Sequence, residues 1–254
     1  MEDLAGRLVA ISGGAGDIGL ATAAALARRG AEVVLLDNRP DGPDVAERLA
    51  SAGLPADAYR QVDVTDRAAV DATLAALPRL DVAVANAGIV RAAPFLDVDV
   101  ADWRTQLEVN LTGTFHLLQS AARLMVGRGV AGQVIVTGSW VADHPWPEIS
   151  AYTTSKAGAH ALARSAAMEL APYGVRVNVV APGIVHAGMA RRQYETEPQY
   201  AARAAGAIPL GRMQTADEVG STIAFLCSDA AAYLTGTVLL ADGGCSLFHV
   251  LQRS

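Results

Sequence analysis

Short apolar runs alternate along the chain with longer segments in which Ala, Leu and Val recur at helical spacing among Arg and Asp. The runs predict strands at 7–12, 32–37, 58–63, 81–86, 133–139, 176–181 and 237–241. The segments between them predict helices near 17–29, 42–52, 66–77, 99–127, 151–171 and 215–228. Val33-Val34-Leu35-Leu36 carries no polar residue at alternate positions, so such a strand is expected to be covered on both faces, as in a parallel sheet between helix layers. Strand and helix alternate throughout, which predicts an α/β fold with a doubly wound parallel sheet of about seven strands.

No internal repeat and no Pro-, Gly- or Ser-rich linker divides the chain, so residues 1–254 are expected to form one domain. The polar, Tyr-bearing stretch 191–206, between Pro182-Gly183 and Pro209, reads as a helical excursion from the sheet. It suggests a small substrate lid near 187–210.

Composition narrows the function. A mean hydropathy of +0.26 excludes a disordered chain. A net charge of −6, from 20 basic and 26 acidic residues, argues against a nucleic-acid surface. Two cysteines, Cys227 and Cys245, are too few for a disulfide scaffold. No apolar stretch reaches the ~20 residues of a membrane helix, and Glu2 and Asp3 stand where a signal peptide would be basic. The cytoplasm is therefore the expected compartment. Lys156 is the only lysine, every other basic residue being arginine.

Two constellations carry chemistry. The first is Gly13-Gly14-Ala15-Gly16-Asp17-Ile18-Gly19, between the first predicted strand and the first helix. Glycines there let the backbone approach a pyrophosphate, and the N–H groups of the helix start bind its charge. The next strand ends in Asp37, placed to accept a hydrogen bond from an adenosine ribose 2′-hydroxyl. A carboxylate there repels a 2′-phosphate, which favours NAD over NADP. Arg39, two residues on, is expected in an exposed loop. The second constellation is Ser139 at a strand end, with Tyr152 and Lys156 four residues apart on one helix face. A tyrosine titrates near 10, too high for acid–base work near neutrality, and an adjacent ammonium would lower that value. No His/Cys/Asp cluster has metal-ligand spacing, so no metal is expected.

With these residues in view, the chain resembles a classical short-chain dehydrogenase/reductase from about Leu4 to Cys245. The further motifs are Asp63-Val64, Asn86-Ala87-Gly88, Asn110 and Pro182-Gly183. The resemblance implies a Rossmann-like fold, reversible hydride transfer between an alcohol carbon and NAD, and a homotetramer. It implies Tyr152 as general acid/base and Ser139 as the group polarising the substrate oxygen. Lys156 would hold the nicotinamide ribose and lower the Tyr152 pKa, and Asn110 would position a water in a proton relay. Gly13, Asp17, Ile18 and Gly19 would lie at the pyrophosphate and Asp63 and Val64 at the adenine. Asn86 and Gly88 would lie beneath the cofactor, with Pro182, Gly183 and Val185 at the nicotinamide.

Two positions depart from the family pattern. Asp17 stands where a glycine is usual and is expected to cap its own helix. Ala187 replaces a threonine that would bond the carboxamide, leaving that task to groups such as the Val185 N–H. Residues 140–151 join the two catalytic positions and must line the pocket, which makes Trp140, His144 and Trp146 substrate candidates, with His186 facing the same cleft. Trp146 could stack on a sugar ring. Pro145-Trp146-Pro147 and Leu240-Ala241-Asp242-Gly243-Gly244 resemble glucose 1-dehydrogenases of this family, which points to a sugar or polyol. A reductase of 3-oxoacyl thioesters or other small ketones is the alternative, with Arg191, Arg192 and Arg203 as a basic entrance. A non-catalytic dinucleotide sensor is the other alternative. Small apolar residues on the 99–127 and 151–171 helices, and the tail at 246–251, are candidates for the subunit interface.

Overall fold

β-Branched and leucine side chains pack well on a pleated surface covered from both sides, and the apolar runs of this chain fold accordingly. A computed structural model describes residues 3–247; residues 248–251 of the proposed interface tail lie outside the described residues. The strands are β1 (Leu8–Ser12), β2 (Glu32–Asp37), β3 (Tyr59–Gln61), β4 (Val82–Ala85), β5 (Gln133–Thr137), β6 (Arg176–Pro182) and β7 (Val238–Ala241). They form one sheet in the order β3-β2-β1-β4-β5-β6-β7, with every pairing parallel. This is the doubly wound, Rossmann-like topology expected from the sequence, and its order reverses between β1 and β4. Ligands of such sheets bind beyond the strand C-termini at that reversal.

The helices are α1 (Asp17–Ala27), α2 (Pro43–Ser51), α3 (Arg67–Ala75), α4 (Val100–Leu107), α5 (Gly113–Gly127), α6 (Ser150–Leu170), α7 (Gly188–Thr196), α8 (Pro198–Ala207) and α9 (Ala216–Cys227). Side-chain alternation sends Val9, Ile11, Val82, Val84 and Ile135 to one face, where Leu26 of α1 and Ile223 of α9 cover them. Ala10, Ala83, Val134 and Val136 point to the other, under Leu74, Leu117 and Ala159 of α3, α5 and α6.

Two predicted helices differ in detail. The 99–127 segment is α4 and α5 joined by a π-helical turn, Glu108–Thr112. The extra residue in that turn re-aims Asn110 into the protein, where it is fully buried. The predicted excursion is two helices rather than one, because Pro198 disfavours helical backbone at Glu197 and α7 stops there. Among the described residues, no helix is long and apolar enough to cross a membrane.

Candidate active site

A cleft of about 530 Å³ opens along the C-terminal ends of β1, β2, β4, β5 and β6. At one end lies the glycine loop. Gly13 sits at φ +61°, and a Cβ on it would stand 2.8 Å from the Ala87 Cα. Gly19 does not line the cleft; its missing side chain lets α1 pack onto the Gly13 carbonyl. Ser12 Oγ accepts the N–H groups of Asn86 (3.1 Å) and Ala87 (3.2 Å), and Asn86 Nδ2 donates to Gly13 O (3.1 Å). The loops after β1 and β4 are thereby tied together. Gly16 precedes α1 and no side chain caps it, so the first-turn N–H groups remain available to a pyrophosphate.

Asp37, 8% exposed, ends β2 at the same rim. Its Oδ2 accepts the Ala15 N–H (3.1 Å) and its Oδ1 the Arg39 N–H (3.2 Å), which fixes the carboxylate toward the cleft. Arg39 is not merely a loop charge: its Nη1 donates to Ala15 O (3.1 Å), and it lines the cleft beside Asp37. Asp63 and Val64 line the adjoining wall, and the Asp63 carboxylate accepts the Thr65 N–H at 2.9 Å.

Asp17 does not cap its own helix. As the first residue of α1, it turns its carboxylate outward to Arg48 Nη2 (2.9 Å), the Gly188 N–H (2.9 Å) and Arg191 (3.4 Å). Burial alone would raise its pKa, but the Gly188 N–H and the two guanidiniums outweigh that and hold it below the usual value. The glycine loop is thus bonded directly to the start of α7.

At the other end, α6 presents Tyr152, Lys156 and His160 at four-residue spacing along one face. Lys156 is buried, and its Nζ donates to Thr137 O (2.7 Å), 5.6 Å from the Tyr152 ring centroid. Burial pulls its ammonium down to about 8. Tyr152 shifts upward because desolvation dominates, and the hydrogen bond with Ser139 offsets only part of the shift. The lowering of the Tyr152 pKa expected from Lys156 is therefore not what this geometry gives. Ser139 follows β5, and its N–H donates to His160 Nε2 (3.4 Å). His160 is a residue that sequence reasoning missed, although the ladder 152–156–160 was visible.

Asn110 lies behind the cleft wall at Gly88. Its Oδ1 accepts the Ile89 N–H (2.8 Å), while its Nδ2 donates to Ile89 O (2.8 Å) and Ser155 Oγ (3.1 Å). Pro182, Gly183, Val185 and Ala187 line the edge above β6.

The substrate candidates divide. Trp140 and Trp146 line the cleft, their rings edge to face at 5.6 Å. The Arg203 guanidinium lies over the Trp146 ring at 5.2 Å, so that face is not open to a sugar as expected. His144 and His186 are not among the lining residues. His186 instead faces Glu195 (3.6 Å) and Tyr194 on α7, because the chain turns outward after Val185. Ile184, Gln193, Tyr200, Arg203 and Glu148 also line the cleft. Among the described residues, no cluster of His, Cys, Asp or Glu could hold a metal ion.

Comparison with known proteins gives the same architecture an ancestry. The family described as enoyl-(acyl carrier protein) reductase matches residues 13–246. The chain is 40% identical to the cis-4-hydroxycyclohexanecarboxylate dehydrogenase of Sinomonas cyclohexanicum, over 96% of this chain and 98% of that one. It is 37% identical to the (-)-isopiperitenol/(-)-carveol dehydrogenase of Mentha piperita, over 96% and 95%. An NAD+-bound xylitol dehydrogenase superposes with a TM-score of 0.86 at 31% identity, covering 95% of this chain and 99% of that one.

Proposed function

The chain belongs to the short-chain dehydrogenase/reductase family and is an NAD(P)-dependent oxidoreductase of CH–OH groups, and from that premise we propose that it interconverts a secondary alcohol on a compact ring with its ketone, using NAD. The observation that carries this reading is the convergence of Ser139, Tyr152 and Lys156 on one wall of a cleft that begins at the glycine loop and Asp37. The likeness to a cis-4-hydroxycyclohexanecarboxylate dehydrogenase supports the ring, and the largely apolar lining supports it over an open polyol.

The uncapped start of α1, the cradle at Gly13 and the fixed Asp37 carboxylate fit a dinucleotide. When bound, the nicotinamide supplies hydride transfer. The protein's part is the oxygen's proton. In oxidation the Tyr152 phenolate takes the hydroxyl proton, and in ketone reduction the phenol returns it. Ser139 Oγ holds the substrate oxygen against Tyr152. Lys156, anchored on Thr137 O, supplies a positive charge beneath both, and Asn110 fixes the Ile89 wall on the path to solvent. We read α7 and α8 as the lid over this site. Because burial raises the phenol, alcohol oxidation accelerates as the pH rises from neutral into the alkaline range.

The family description keeps a reductase of acyl thioesters as the second reading. Its basic entrance is dispersed, however: Arg191 pairs with Asp17, and Arg203 lies against Trp146 and Tyr200.

The test is NADH formation across ring alcohols, polyols and open-chain secondary alcohols, with Tyr152→Phe alongside. Turnover of a ring alcohol is expected to fall about a thousandfold in the variant. NAD is expected to outperform NADP at least tenfold, and Asp37→Ser to narrow that gap. Full activity in Tyr152→Phe overturns the assignment of the proton, and a preference for NADP overturns the role of Asp37.

A further inference from the structure

Around Tyr152 the cleft lining is largely apolar, with Glu148 and Gln193 as polar members beside Arg203. Trp140, Trp146, Ile149, Ile184 and Tyr200 pack with Tyr152 into one cluster, so a bound molecule meets hydrocarbon and aromatic surface along its body. At the end of that belt stands Arg203, on α8. Its guanidinium lies 5.2 Å from the Trp146 ring centroid and 5.9 Å from that of Tyr200, within cation–π range of both. Among the described residues it makes no side-chain hydrogen bond. Its one ion partner is the Glu148 carboxylate, 3.8 Å from Nη2 and beyond hydrogen-bond length. Glu148 itself is held by a turn at φ 67°, the left-handed region that non-glycine residues rarely enter, with its carbonyl accepting the Ala93 N–H at 2.8 Å.

A planar fork with five donors, fixed by aromatic rings at the edge of a cleft and lightly paired, is the arrangement that recognises a carboxylate. A purely apolar alcohol would leave the guanidinium with only the loose Glu148 pair and no hydrogen bond to the ligand. A sugar would place hydroxyls along walls that offer them few acceptors.

We propose that Arg203 is the anchor for a substrate carboxylate, so that the enzyme acts on hydroxy acids whose apolar ring separates the reacting carbinol from the acid group. The proposal rests on the ring-alcohol reading of the same site and adds to it the charge at the far end and the residue that selects it. Trp146 and Tyr200 flank the fork, and Glu148 pairs with its Nη2 only loosely, at 3.8 Å, so that among the described residues the donors of the fork are left without a hydrogen bond.

The decisive measurement separates binding from turnover. With saturating NADH, calorimetry compares cyclohexanecarboxylate with cyclohexanecarboxamide, which match in shape and lack a reacting hydroxyl. The wild type is expected to bind the carboxylate at least tenfold more tightly. Arg203→Met is expected to weaken carboxylate binding about thirtyfold or more while changing the carboxamide less than threefold. Arg203→Lys, which keeps the charge without the fork, recovers part of the loss. Equal binding of the two probes by the wild type, or equal weakening of both by Arg203→Met, overturns the proposal and leaves Arg203 a packing residue of α8. Failure of the dehydrogenase reading looks different: the carboxylate binds through Arg203, yet no 4-hydroxycyclohexanecarboxylate is oxidised with NAD.

Discussion

His160 is 2% exposed and stands behind Ser139, where a side chain on Gly138 would collide with its ring. Because Nε2 accepts the Ser139 N–H, the ring's proton belongs on Nδ1, which faces Asp143 at 3.9 Å. Burial pulls its pKa down to about 4, Asp143 opposing only part of the shift. The sign follows. Below pH 6.5 the unfolded chain takes up this proton, while the folded chain refuses it until about pH 4, so acidification across that window costs stability. The loss through this one group is roughly 2–3 kcal/mol by pH 4. Urea unfolding of His160→Gln is expected to depend less on pH than the wild type by about that amount between pH 6.5 and 4; parallel profiles refute it. The sequence reading stopped at Tyr152 and Lys156 and missed His160, whose bond to Ser139 exists only because β5 and α6 meet in the folded chain. Asp17 shows the same limit. Its partners Arg48, Gly188 and Arg191 come from distant segments, whereas the sequence suggested a cap on its own helix at the cofactor loop.

At the scale of elements, α9 shows how cofactor loop and helix packing depend on each other. Thr215 and Glu218 form a reciprocal cap: Thr215 Oγ1 accepts the Glu218 N–H (3.2 Å) and Glu218 Oε2 the Thr215 N–H (2.8 Å). Arg212, bonded to both Glu218 oxygens, and the Thr215 N–H hold that carboxyl down at about 2. The cap launches α9 directly against α1, where a Cβ on Gly220 would stand 2.7 Å from Ala21 O. Gly220→Val is therefore expected to push α1 away, costing about 2–3 kcal/mol and weakening dinucleotide binding with it. Thr215→Ala is expected to cost about 1 kcal/mol through the cap alone. Denaturant titration and NADH fluorescence together check both, and an undisturbed Gly220→Val protein would refute the packing argument. The strands and the helix at 215–228 were legible because apolar runs and helical spacing are local signals. The π turn at Glu108–Thr112 was not, because its sequence reads as ordinary helix. Nor were the directions of His144 and His186, which depend on how two loops pack.

For the whole molecule, the homotetramer is a proposal, to be tested at exposed apolar residues on the helices expected to form its interface. Phe115 on α5 and Met168 on α6 are exposed, Met168 at 76%, on the helices expected to meet another subunit. Light scattering is expected to give the mass of four 26.2 kDa chains, and Met168→Glu with Phe115→Glu to give smaller species. A wild-type monomer at micromolar concentration overturns it. The burial of Lys156 has a consequence of a different kind. The folded chain keeps its one lysine side chain at the base of the cleft, 4% exposed and bonded to Thr137 O. A lysine-specific protease therefore has a single bond to cut, after residue 156 within α6, and can reach it only when that helix opens. Digestion would yield two fragments at a rate set by the opening of the catalytic face, so a routine mapping enzyme becomes a clock for the local stability of the site.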